Sequence, residues 1–429
     1  MGHRLRFVPF FCIAAVLLFT YRLYASSYFW LDDFTALSWA QQESALKMLG
    51  HIINPLSQYF RPTGMLFYWI MLRVFDLNAP AYHYVAWSIH AANTALVYVI
   101  LKRITDSSAG AAVGAMLFAS EAVFVDLYWS FGTIFELVCA FAMFTGILLW
   151  NTENRSWSRV VLCLVVFVFA VKAKEMAITL PAIWLGCDLL LRSKPSMRAA
   201  FQIVIPSSFG LWYGFIKMMD MRGLPAAAAY YMDVKWLTLG RGYGAYFNQL
   251  FNTNLRWQFW AIGFAALLLF FAIGKMRTAV FFQMYTFVTF LPLVFLVNRH
   301  EAFYWYIPIL GLCGLAALMV KALVEFIEPR FPARIAPPAA AAVFATLCWG
   351  TYVVQRNETD ERRQWQQRIA AEYRSWIAHL RSLPQPQPNE TLFFESYPSL
   401  FDSSVLHNAA QVAFRRTDID AKVVETKPR

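Results

Sequence analysis

Residues Phe7 to Ala25 read FVPFFCIAAVLLFTYRLYA, and Tyr28 to Phe34 follow at once with YFWLDDF. The first stretch is close to the roughly 20 apolar residues that cross a bilayer. Arg4 and Arg6 ahead of it, and Ala25-Ser26-Ser27 behind it, give it the look of a secretory signal. It is long for one, and an aromatic cluster follows, so it reads as an uncleaved signal anchor. The second stretch sets two adjacent acids, Asp32 and Asp33, against a Phe-Trp-Leu run at the water edge of that span. A carboxylate there is partly desolvated, which favours its protonated form and strengthens its grip on a cation or a reacting hydroxyl. The plain alternative is that the acids mark the boundary and open a helix over 34–49, with Asp33 as N-cap.

The rest of the chain extends this reading. Of 429 residues, 59% are hydrophobic, 17% aromatic and only 15% charged, a composition foreign to soluble domains. Repeated apolar runs, without the period-2 alternation of a barrel, predict an all-α polytopic membrane protein. Spans are predicted near 7–25, 80–101, 109–125, 131–150, 158–172, 175–191, 199–217, 257–273, 279–297, 303–325 and 336–354, about eleven in all. The formal charge of +11 sits mostly in short loops and the tail, which fits a membrane-orientation signal better than nucleic acid. All six cysteines lie inside apolar runs with no CxxC pair, so neither a disulfide framework nor a zinc site is indicated.

With a cytoplasmic N-terminus, the inside loops hold Lys102-Arg103, Arg155, Arg159, Arg192, Lys194, Arg198, Lys275, Arg277, Arg330 and Arg334, as the positive-inside rule requires. The opposite face then collects Asp32, Asp33, Glu121, Asp126, Lys174, Glu175 and Arg299-His300-Glu301. Between Arg61 and Asp76 an apolar run too short to cross predicts an interfacial helix. The loop 217–256, with Ala226 to Ala229 and Gly240-Arg241-Gly242-Tyr243-Gly244, reads either as a moving lid or as a disordered connector. After Gln355 the chain turns polar and predicts a small α/β tail domain, residues 355–429, beside a polytopic body of residues 1–354. Its elements are an amphipathic helix over 360–383, a strand at 391–394, a short helix at 407–414 and a strand at 422–425.

Several features recur in order: the acid pair, Tyr59-Phe60-Arg61-Pro62, His90 with Asn93, Ser120-Glu121 to Asp126, Lys172-Ala173-Lys174-Glu175, then Asn298-Arg299-His300-Glu301 and Tyr304-Trp305-Tyr306. This set resembles the GT-C fold integral membrane glycosyltransferases, in particular the protein O-mannosyltransferases, the transmembrane and tetratricopeptide-repeat mannosyltransferases and their bacterial relatives. The resemblance covers roughly residues 1–325. Where relatives often carry His-Pro, this chain has Ser120-Glu121, and its tail shows no tetratricopeptide repeat.

The resemblance implies sugar transfer from a polyprenyl-phosphate donor to a glycan, lipid or protein acceptor on the outer membrane face, usually with inversion. The compact loops and the lack of a eukaryotic targeting signal point to the periplasmic face of a bacterial inner membrane. It assigns Asp32 as general base, with Asp33 turned elsewhere and Glu121 as a second acid. Arg61, Lys174, Arg299 and His300 are then candidates for phosphate contact, and Tyr306 for the sugar site. Asp126 and Glu175 complete the substrate-binding set. Glu121 and Asp126 either supply a second acid or join Asp32 around a divalent cation, Mg or Mn, since hard cations prefer carboxylate oxygens. Snorkelling at a membrane boundary is the competing account of Arg61 and Arg299, and an internal pair with Glu175 that of Lys174. His90 and Asn93, three residues apart on one helix face, fit a structural pair inside a bundle. A transporter or lipid flippase is the rival class. It places ionisable sites near the midplane and often shows inverted repeats, whereas here the acids cluster at one surface.

Overall fold

The computed structural model describes residues 27–54, 56–57, 59–120, 130–152, 155–192, 197–220, 224–327 and 364–424, with a few more at 13–18, 346 and 350. The spans predicted at 7–25 and 336–354, and the candidates Glu121 and Asp126, fall outside or almost wholly outside them. The chain divides into two compact units, with divisions inside helices at Ser88/Ile89 and Phe135/Glu136. The first holds 1–20, 89–125 and 136–355, the second 21–88, 126–135 and 356–429.

In chain order the described helices are α1 (Leu31–Gln42), α2 (Ala45–Ile53), α3 (Pro62–Phe75), α4 (Ala79–Thr105), α5 (Ser108–Ser120), α6 (Ile134–Trp150), α7 (Trp157–Ala173), α8 (Leu180–Gly186), α9 (Met197–Asp220), α10 (Trp236–Phe251), α11 (Trp257–Ile273), α12 (Arg277–Phe290) and α13 (Ile309–Ile327). Among the described residues, four stretches are long and apolar enough to cross a membrane: Ala79–Thr105, Phe131–Trp150, Met197–Met219 and Ile309–Ile327. Ser108–Ser120 and Trp257–Ile273 are apolar but shorter.

The first unit packs its helices closely through glycine. A Cβ at Gly110 would meet the Ala317 carbonyl oxygen at 2.3 Å, and one at Gly114 the Cys313 carbonyl oxygen at 2.8 Å. Small residues thus let α5 and α13 touch backbone to backbone, the usual way helices associate where lipid removes the hydrophobic drive. Buried polar groups are matched inside this unit. Asp188 takes two hydrogen bonds of 2.8 Å from the Arg155 guanidinium, an ion pair of 2.9 Å from Arg192 and a 3.2 Å bond from the Trp150 indole.

Two expectations are corrected in this unit. The segment read as lid or connector contains α10, and its glycine run lies within that helix. Gly242 stands where a Cβ would meet the Val294 carbonyl oxygen at 2.2 Å, and Gly240 where one would meet Trp257 at 2.6 Å, so these glycines serve close approach rather than flexibility. The span predicted over 279–297 ends as a helix at Phe290. Pro292 follows, and without an amide hydrogen it cannot donate the next bond of the helical ladder.

The second unit brings the tail onto the first loop. Its tail helix α14 covers 364–382 and, of the stripe Trp365, Ile369, Tyr373, Trp376, Ile377 and Leu380 predicted from sequence, buries Ile369, Tyr373, Ile377 and Leu380 but leaves Trp365 exposed. Then come β1 (Thr391–Phe394), α15 (Ser403–Phe414) and β2 (Asp420–Val423), the two strands pairing in parallel with Thr391 opposite Asp420. The last strand starts two residues earlier than predicted. The side chain of Ser38 on α1 donates to Gln411 on α15 at 2.7 Å, and Asn408 donates to Thr35 at 3.1 Å. Phe34 completes the contact against Phe401 and Tyr373.

Candidate active site

The helix predicted over 34–49 is two helices. It breaks at Glu43 and Ser44, where the Ser44 hydroxyl accepts from the Lys47 amide and starts α2. The Glu43 carbonyl accepts from Trp69 at 2.9 Å and from Arg73 at 2.6 Å, which fixes the break against α3.

The acid pair opens α1, and its two members differ. Asp32 is exposed. Asp33 is fully buried, third residue of the helix rather than its N-cap, and its Oδ2 accepts from the Trp30 amide at 2.6 Å. Its Oδ1 accepts from the Tyr68 hydroxyl at 2.7 Å. Burial pushes the Asp33 carboxyl up to about 7, against the lowering pull of those two hydrogen bonds, with the Asp32 charge adding to the rise. The turn bearing Asp32 is therefore clamped from inside, while Asp32 itself meets solvent.

Arg61 stands at the N-cap of α3 with left-handed backbone (φ 41°), and Pro62 follows at the first helical position. Its guanidinium lies 4.6 Å from the Phe60 ring centroid and 5.7 Å from that of Phe135. Phe135 also packs against Tyr68, at 6.3 Å between centroids. Asp33 and Arg61 thus belong to one framework, connected through Tyr68 and Phe135.

In the first unit, Lys174 sits at a break between helices. Its extended backbone (φ −159°, ψ 141°) ends α7 and precedes a 3₁₀ turn, Glu175–Thr179. Its ammonium is buried, 4.0 Å from the Tyr304 ring centroid, and forms an ion pair with Glu136. The pairing considered from sequence was with the adjacent Glu175. Glu136 was not among the candidates. A lone acid in an apolar run was the signal that it had a partner.

The remaining candidates of this unit are spread out. Half-buried Arg299 donates to the Tyr230 hydroxyl at 2.9 Å and lies 3.5 Å from Glu301. The His300 carbonyl accepts from Gln249 at 2.6 Å, and burial lowers the pKa of its ring, with Glu301 opposing. Tyr306 is fully buried. Its hydroxyl lies 2.8 Å from Nδ1 of His90 and accepts from Asn93 at 3.1 Å. That bond network buries the Tyr306 hydroxyl and gives His90 and Asn93 the partner they lacked in the sequence. Among the described residues no group of three or more His, Cys, Asp or Glu could hold a metal ion.

ArnT from Cupriavidus metallidurans, solved bound to undecaprenyl phosphate, is similar over 97% of this chain and 86% of its own, at 10% identity and a TM-score of 0.48. No family model and no curated protein matches the chain.

Proposed function

We propose that this chain is a GT-C type membrane glycosyltransferase of about eleven spans that moves a sugar from a polyprenyl-phosphate donor to an acceptor on the periplasmic face of a bacterial inner membrane. The observation that carries this reading is the division of labour in the acid pair: Asp33 buried and clamped by Tyr68 and Trp30, Asp32 left exposed on the same turn. A base must be both fixed and reachable, and this arrangement supplies both.

In the reaction, the Asp32 carboxylate takes the proton of the acceptor hydroxyl. The acceptor oxygen attacks the anomeric carbon opposite the phosphate, and the carbon–oxygen bond to phosphate breaks with its electron pair. The product is an inverted glycoside, and polyprenyl phosphate leaves. Arg61 offers positive charge for that leaving group, as a guanidinium can grip two phosphate oxygens. In the other unit Lys174, Arg299 and His300 are assigned the same kind of contact. Lys174 is the weakest of them, because Glu136 already meets its charge. Asp32, Glu121 and Asp126 are the carboxylates that would hold a Mg or Mn ion, which supplies charge neutralisation at phosphate when bound.

The test is transfer of radiolabelled sugar from polyprenyl-phosphate donors in membranes holding equal amounts of wild type or Asp32→Asn. Loss of a general base costs about 10²–10⁴-fold, so transfer in the variant should fall at least about a hundredfold. Equal transfer by both proteins removes Asp32 as base, and no transfer from any donor overturns the enzyme reading.

A further inference from the structure

Where α3 ends, the second unit holds a cavity of about 670 Å³ whose lining includes Arg73, Val74, Phe75, Asp76, Asn78 and Arg415. Its charges do not balance. Asp76, held at φ 49°, accepts two hydrogen bonds from Arg381, of 2.8 and 2.9 Å, and an ion pair of 2.9 Å from Arg415. Arg73 spends its hydrogen bonds on the carbonyls of Ala40, Glu43 and Trp69, and its guanidinium lies 4.0 Å from the Trp69 ring centroid. Carbonyls and rings satisfy a guanidinium without cancelling its charge. Arg381 and Arg415 therefore share the one carboxylate of Asp76, Arg73 adds a further positive charge, and Arg415 remains largely exposed.

The other wall of the cavity is apolar and open. Val74 is 63% exposed and Phe75 41%. Three residues beyond Asp76 the chain enters Ala79–Thr105, apolar and long enough to cross a membrane. Excess positive charge beside an uncovered apolar edge, at the foot of a candidate span, suits a ligand with an anionic head and a greasy chain.

We propose that this cavity binds the phosphate head of an anionic amphiphile, with Arg73, Arg415 and Asn78 on the phosphate and Val74 and Phe75 against the chain. The site contains neither Asp32 nor Arg61, and it stands or falls independently of the transferase reading.

Native mass spectrometry of the full chain in detergent tests it, with phosphatidylglycerol, phosphatidylcholine, a polyprenyl phosphate and inorganic phosphate as probes. One phosphatidylglycerol or polyprenyl phosphate should be retained about tenfold more tightly than phosphatidylcholine, the order of one charge-assisted bond. Whichever of the two is held more tightly names the natural source, and either supports the site. Combined Arg73→Gln and Arg415→Gln should abolish the preference. Val74→Glu, which leaves both arginine bridges in place, should weaken retention by about the same factor. Equal retention of the anionic and zwitterionic lipids overturns the proposal, as does a preference that survives both variants. Displacement of the amphiphile by millimolar inorganic phosphate overturns it too.

Discussion

Asp33 and Asp188 are both buried carboxylates, one in each unit, and they keep different company. Asp33 is surrounded by neutral donors, the Tyr68 hydroxyl and the Trp30 amide. Asp188 lies between two guanidinium groups, with the Trp150 indole as a third donor. Neutral dipoles hold a carboxylate in place yet leave it able to take up a proton near neutral pH, whereas fixed cations fasten two helices through its charge. Solvent pH can therefore reach the end of α1, while the Asp188 cluster is a fastener. The difference suits a turn that must present a reactive neighbour and a helix junction that must only hold.

The contrast breaks most visibly if Arg155 is removed. Arg155→Ala leaves a buried acid short of a cation, and such losses cost about 3–5 kcal/mol. Thermal unfolding of the full chain in detergent should show that drop. Asp33→Ala should cost only about 1–3 kcal/mol, the order of losing hydrogen bonds to neutral partners. Equal costs at the two sites would erase the distinction.

A pH series sharpens it. The carboxyl of Asp33 rises from 3.8 to about 7 on folding, so between those values the native state binds a proton that the unfolded chain has lost. Stability therefore falls as pH rises from about 4 to 7 and stays lowered above, by on the order of 4 kcal/mol if the whole shift is expressed. Asp33→Asn keeps an acceptor for the Trp30 amide and has no proton to lose. Its stability curve should be flatter over this window, with the gap to wild type widening as pH rises. Parallel curves would mean that Asp33 is not buried as described. The smallest effect is that of Tyr68→Phe, about 1–2 kcal/mol at pH 8 and less at pH 5, where a protonated Asp33 no longer needs the same donor.

Much of this architecture was legible because hydropathy and helix period act locally. Within the described residues most apolar runs found their helices, and the stripe from Ile369 to Leu380 buried most of the face it presented. Asp33 was recognisable as a cap, though its place inside the first turn depends on Trp30 supplying the amide. What escaped were features decided by distant partners. Glu136 showed no sign of its partner, because Lys174 reaches it from the break after α7, and the hydrogen bonds of Tyr306 to His90 and Asn93 join residues 216 and 213 apart in the chain. The glycines of 240–244 have two physical uses, freedom and thinness, and only their distant neighbours, Trp257 and the Val294 carbonyl, tell which one applies.

The bond between Ser38 and Gln411 joins residues 373 apart in the chain. During synthesis α1 is made long before Tyr373, Phe401 and α15, the tail surface that packs against Phe34 and Ser38. Until α15 has been translated and has reached α1, that apolar face stays open to chaperones and proteases. A chain that stops short of Gln411 leaves this part of α1 without its partner, so the packing of the first loop waits on synthesis of the tail.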